Sequence, residues 1–137
     1  MKEIIAVVRM GKVSATKRAL VEAGVAGFTA SKVLGRGKLV KDPAVIEARK
    51  QELLALNKSK DKQEAELLID TFLNGVRLFP RRLFNVIAHD EDVPRIVQAI
   101  MAVNRTDNQV GDGKIFVLPL NDAIRVRTGE TGDSAIW

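Results

Sequence analysis

Residues 3–10 read EIIAVVRM and residues 82–88 read RLFNVIA. Each is a short, β-branched, nearly continuous apolar run, the pattern of a strand covered on at least one face. The residues after each run decide the fold. After Gly11, Ser14 is placed to accept from the N–H groups of a starting helix, and Ala15, Ala19, Leu20 and Ala23 supply an apolar stripe. Gly24 ends it where a left-handed residue is wanted. The pattern predicts a helix over about residues 14–23. A strand comes next over 28–34, where Phe28, Val33 and Leu34 mix with Thr29 and Ser31 before Gly35-Arg36-Gly37 breaks the ladder.

The same order recurs after Ala88. Asp92, Val93 and Pro94 begin a helix whose Val93, Ile96, Val97, Ile100 and Met101 fall at i, i+3, i+4, i+7 and i+8, and Lys114 to Leu118 supplies a last strand. Two β-α-β units of similar length predict an α+β fold of ferredoxin-like type: a four-stranded antiparallel sheet with both helices on one face. Ile4, Ile5, Ala6, Val7 and Val8 are apolar on both sides of the strand, so the bare face of the sheet is expected to be buried by another subunit.

The 137 residues, 46% hydrophobic and 28% charged, make one domain spanning residues 1–137 and exclude disordered and low-complexity classes. No window approaches a membrane-spanning apolar run, and Met1-Lys2-Glu3 is too charged to open a signal peptide, so a cytoplasmic protein without membrane insertion is expected. Cysteine is absent and His89 is the single histidine, which removes disulfides, thiolate zinc, cysteine nucleophiles and sites needing two imidazoles. Aromatic content is 4%, and 22 Lys and Arg are interleaved with 17 Asp and Glu, so no nucleic-acid partner is expected.

Between the two units lies an insertion at about 38–80, far longer than an ordinary connection. Helical spacing appears at 44–57 and again at 63–73, with the polar NKSKDK between. It reads either as a solvated helical hairpin or as a partner-docking arm, and its length favours the arm. The residues most able to bury themselves against a partner are Leu68, Ile69, Phe72 and Leu73.

Three glycine-plus-base elements lie at loop ends. Gly111-Asp112-Gly113-Lys114 precedes the last strand, and its glycines permit the close backbone approach that a phosphate needs. Gly35-Arg36-Gly37-Lys38 comes after the second strand. Arg125 and Arg127, two apart, would point to one side of an extended segment and fork onto successive phosphates. Each alone reads as a turn or a solvated tail; together they suggest a nucleotide polyphosphate site. No Walker motif, GxGxxG or Ser-His-Asp set is present, and His89 in AHDED reads as a turn hydrogen-bonder. A binding protein rather than an enzyme is expected.

The stretch GDGKIFVLPLNDAIRVRTGETGDSAI, residues 111–136, resembles the C-terminal signature of the nitrogen-regulatory P-II signal-transduction proteins. The resemblance implies a trimer, homomeric or mixed with a sister P-II protein, with ATP or ADP in the clefts between subunits and 2-oxoglutarate sensed beside the ATP phosphates. It implies phosphate contacts from Gly111, Gly113 and Lys114 of one subunit and from Arg125 and Arg127 of its neighbour. Thr29, Gly35 and Gly37 would line the nucleotide, with Thr106 on the adenine side. Leu39 stands where the family carries a glutamine beside Mg²⁺ and 2-oxoglutarate, which leaves open how metal and effector are held. No Tyr exists for uridylylation.

The MKEIIAVVRM opening, the SKVLGRGK segment and the Leu- and Lys-rich insertion resemble the nitrogenase-associated P-II branch, specifically the second of its two sister proteins. That implies control of a nitrogenase component protein through the long loop. The alternative is a P-II protein regulating an ammonium transporter or a nitrogen-assimilation enzyme.

Overall fold

The computed structural model describes residues 1–37, 43–44, 47–48, 50–51, 78–107 and 111–137. The chain runs β1 (Lys2–Arg9), α1 (Val13–Glu22), β2 (Thr29–Gly35), β3 (Phe79–Ala88), α2 (Val93–Asn104) and β4 (Lys114–Pro119). The strands form one sheet in the order β2-β3-β1-β4, and every neighbouring pair is antiparallel. This is the expected ferredoxin-like α+β arrangement.

Alternation along the central strands sorts the two faces. Ile4, Ala6 and Val8 of β1 and Phe84, Val86 and Ala88 of β3 are buried, and they cluster with Leu20 of α1 and Ile96 and Ile100 of α2. Phe84 sits between Ala6 on one neighbouring strand and Ala30 on the other, so two small side chains make room for its ring. The ring of Phe28 closes over it with centroids 5.7 Å apart. A buried polar contact ties the helices: Asn104 Nδ2 donates to Thr16 Oγ1 at 2.9 Å, and that hydroxyl donates to the Lys12 carbonyl at 2.7 Å.

The other residues of the same strands, Ile5, Val7, Leu83 and Ile87, face away from the helices by alternation and are only partly covered. On β4, Phe116 and Leu118 continue that face at 48% and 39% exposure. The expected bare apolar face is therefore present. Both β2 and β4 are edge strands.

Several expected boundaries shift for identifiable reasons. Ser14 does not cap α1: a 3₁₀ turn at Met10–Lys12 continues out of β1 and supplies the first turn, so Ser14 lies inside the helix. Asp92 occupies the N-cap of α2 after a second 3₁₀ turn, but it makes no cap hydrogen bond; its carboxylate takes the Arg95 guanidinium instead. Gly24 lies just past α1 at φ +73°, and its N–H reaches the Val21 carbonyl at 2.9 Å, as expected of a left-handed terminator.

Strand β3 begins at Phe79, three residues before the expected Arg82, and includes Pro80. Pairing with β1 starts only at Arg81, so the proline lies opposite Leu34 of β2 alone and interrupts no two-sided ladder. Within the insertion, the described residues 43–44, 47–48 and 50–51 are helical, in keeping with the expected first helical piece. The second piece, with Leu68, Ile69, Phe72 and Leu73, lies outside the described residues. Among the described residues, no helix is long and apolar enough to cross a membrane.

Phe84→Ala removes a side chain that is 0% exposed, and its cost is expected at about 3–5 kcal/mol. Equilibrium urea unfolding at constant m-value measures it.

Candidate functional site

The ends of the strands decide which groups meet. β1 finishes at Arg9, β2 at Gly35, β3 starts at Phe79 and β4 at Lys114, so all four termini lie at one end of the sheet. That end collects Arg9, Arg36, Arg81 and Lys114, with Asp112 in their midst.

The turn before β4 is held from below. Arg9, 4% exposed, donates through Nε to the Gly111 carbonyl at 3.0 Å and pairs through a terminal nitrogen with Asp112 Oδ1 at 2.8 Å. Arg81, directly opposite Arg9 in the β1–β3 register, donates to the same carbonyl at 3.3 Å. The Asp112 carboxylate also accepts the Thr106 N–H at 2.7 Å and the Thr106 hydroxyl at 2.5 Å.

Gly113 has φ +118°, and a β-carbon built on it would lie 2.2 Å from the Val7 carbonyl oxygen. Only glycine lets the chain pass this close to β1. The next residue, Lys114, is exposed and makes no ion pair among the described residues. The close approach is thus to β1, and what the turn presents to an anion is the exposed Lys114 ammonium.

The remaining expected residues lie elsewhere in the chain. Gly35 and Gly37 share the same end but flank the opposite sheet edge, three strand spacings from Lys114, roughly 14 Å. Thr29 opens β2 at the other end, level with Asn85. Arg125 and Arg127 lie beyond the far end of β4, whose six residues place them roughly 17 Å or more from the turn. A single chain does not bring the glycine turn and the two arginines together.

The two arginines also differ. The expectation that they share one side of an extended segment is corrected: residues 126–128 form a turn, closed by the Gly129 N–H on the Arg125 carbonyl at 2.7 Å. Arg125 is committed locally, to the Glu130 carboxylate and, at 2.9 Å, to the Ser134 carbonyl. Arg127 makes no hydrogen bond or ion pair among the described residues. Val126 between them is 99% exposed.

His89 behaves as a turn hydrogen-bonder. Its carbonyl accepts the Asp92 N–H at 3.0 Å, and its ring lies 3.4 Å from Asp133 Oδ1 and 3.2 Å from the Trp137 carbonyl. Beside it the Met1 ammonium donates to Asp90 at 2.9 Å and holds that carboxyl below the usual carboxylate range, with Lys2 adding to the effect. Among the described residues no cluster of three or more His, Asp or Glu exists to hold a metal, and the nearest carboxylate to the turn, Asp112, is engaged by Arg9 and Thr106.

The sequence singled out the glycines and Lys114 but assigned no role to Arg9, Arg81 or Asp112. A signal was present: two arginines facing each other across adjacent strands repel unless an acceptor lies between them.

Comparison with known proteins points one way. The family model of nitrogen regulatory protein P-II matches residues 1–130. The "Nitrogen fixation nifHD region GlnB-like protein 2" of Methanobacterium ivanovii is 40% identical over 99% of this chain and 99% of its own length. The protein of the same description from Methanococcus maripaludis is 41% identical over 99% of this chain and its full length, 100%. A "Nitrogen regulatory protein P-II" of Cereibacter sphaeroides is 34% identical over 99% of this chain and 100% of its own length.

Gly113→Ala is expected to cost on the order of 2–4 kcal/mol, combining left-handed strain with the clash on Val7. Gly35→Ala, where nothing lies within 4 Å of the added carbon, should change little. Paired thermal melts read the contrast.

Proposed function

The chain belongs to the nitrogen regulatory protein P-II family, and on that premise we propose that it is a regulatory nucleotide-binding protein of nitrogen fixation. The single observation that carries the reading is the division of the site. The Gly111–Lys114 turn and the Arg127 guanidinium are both open to an anion, yet they sit beyond opposite ends of one strand. A polyphosphate touching both joins two chains.

In this reading the ATP or ADP phosphates rest on Gly111, Gly113 and Lys114 of one subunit and reach Arg127 of the next. Arg125 shapes the turn that presents Arg127. Gly35, Gly37 and Thr29 line the cleft, and Thr106 supports the turn. The bare face carrying Ile5, Val7, Leu83, Phe116 and Leu118 closes the assembly, which we take to be a trimer, alone or with a sister P-II chain. The nif-region names of the relatives support a role beside nitrogenase, and in this reading the loop at about 38–80 touches a nitrogenase component protein in the cytoplasm.

ATP and 2-oxoglutarate act as effectors by shifting the population of loop states. Such a shift equals the ligand's differential affinity, typically about 1–3 kcal/mol or a factor of about 5–150. Regulation rather than turnover is the activity. The second reading within the family, control of an ammonium transporter or an assimilation enzyme, uses the same ligand site and differs only in the target.

Calorimetry with the full chain should show ATP binding, weakened at least about tenfold by Lys114→Ala or Arg127→Ala, each of which removes a charged hydrogen bond worth roughly 1.5–3 kcal/mol. Light scattering should give three times the 15.0 kDa chain mass, and Phe116→Glu should lower it. In an acetylene-reduction assay the protein, with its sister where required, should inhibit nitrogenase until ATP and 2-oxoglutarate are added. Absence of inhibition moves the target to the transporter or the assimilation enzyme; unchanged affinity in both cation variants removes the site.

A further inference from the structure

The sheet register places Arg9 and Arg81 directly opposite each other on the two central strands, with Arg9 almost fully buried. Two cations in that relation repel, and burial raises the cost of each unless an acceptor lies between them. The acceptors come from the turn itself, the Gly111 carbonyl and the Asp112 carboxylate. The seated turn thus contributes to relieving a repulsion inside the sheet.

The seating also fixes which way the turn's backbone faces. All peptide bonds described are trans, so the N–H of a peptide points opposite to its carbonyl. With the Gly111 carbonyl drawn onto Arg9 and Arg81, the Asp112 N–H is directed away from the arginines. Thr106 completes the clamp by giving both its N–H and its hydroxyl to Asp112, which ties the end of the α2 segment to the turn.

We infer that Arg9, acting through Asp112 and the Gly111 carbonyl, is a positioning residue that presets the 111–114 turn for polyphosphate. The inference rests on the nucleotide reading above and goes beyond it, because it assigns nucleotide affinity to a buried side chain that touches no phosphate. A guanidinium suits this role because one planar fork reaches a carbonyl and a carboxylate together, whereas a lysine ammonium is a single point of charge. Asp112 in this account is a strut held between Arg9 and Thr106, not a ligand for the anion or for a metal.

The test uses the full chain and three variants, Arg9→Gln, Arg9→Lys and Asp112→Asn, the last a near-isosteric change that reaches the clamp from its partly exposed side. ATP affinity is measured by calorimetry well below each variant's melting temperature, so that every chain compared is folded. Arg9→Gln and Asp112→Asn should each weaken binding at least about tenfold, Arg9→Lys should fall between them and the parent, and the Arg9→Gln/Asp112→Asn pair should be no weaker than the worse single change.

Amide exchange at Asp112 and Gly113, followed without any nucleotide, should quicken at least about tenfold in Arg9→Gln. This arm separates the two ideas. If exchange is unchanged, or if the parent binds ATP and both single variants bind it equally well, the positioning role is overturned and the nucleotide site stands. If exchange quickens but the parent binds no ATP, the nucleotide reading is overturned while Arg9 keeps its hold on the turn.

Discussion

The Gly111 carbonyl oxygen lies where two arginines from the central strands converge, and much of the molecule's working end depends on that contact. β1 and β3 pair in a register that makes Arg9 and Arg81 neighbours, and the turn entering β4 supplies the oxygen they share. Because β4 pairs with β1 from Lys114 onward, the turn can be neither longer nor shorter without moving the carbonyl off the guanidinium groups. Gly113 is the second half of the constraint, since its missing side chain lets the turn lie against Val7. Sheet register, turn conformation and the exposure of Lys114 are therefore one structural fact seen from three sides.

The sequence made the architecture legible wherever one periodicity ran unopposed. Val93, Ile96, Val97 and Ile100 marked α2 because their spacing places them on one face against the sheet, and the apolar runs of β1 and β3 read as strands covered on at least one face. Boundaries were less legible because they depend on neighbours. Ser14 looks like a cap in isolation, but the preceding 3₁₀ turn moves the start of α1 past it. Pro80 looks like a reason to begin β3 later, yet its position outside the β1 ladder removes the objection.

The site was legible in composition and not in geometry. Gly111, Gly113 and Lys114 could be singled out as candidates from the sequence, whereas the pairing of Arg9 with Arg81 requires knowledge of register, which no single strand contains. Likewise Arg125 and Arg127 look equivalent two residues apart. Only the Gly129 N–H on the Arg125 carbonyl and the Glu130 carboxylate on its guanidinium reveal that one arginine builds the turn and the other is offered outward. Helix and strand periods report local burial; they carry no information about which end of a strand a distant loop will meet.

Strand β4 carries a further consequence for the lone chain. Among the described residues KIFVLP is an unpaired edge whose Phe116, Val117 and Leu118 are 48%, 45% and 39% exposed. A free edge with apolar side chains recruits other strands without regard to identity, which makes a lone chain prone to precipitate with unrelated nascent polypeptides. Lys114 and Pro119, at the two ends of the strand, act as gatekeepers that limit how far such pairing can spread. The time for which that edge stays uncovered then sets how much chain is lost to indiscriminate strand pairing.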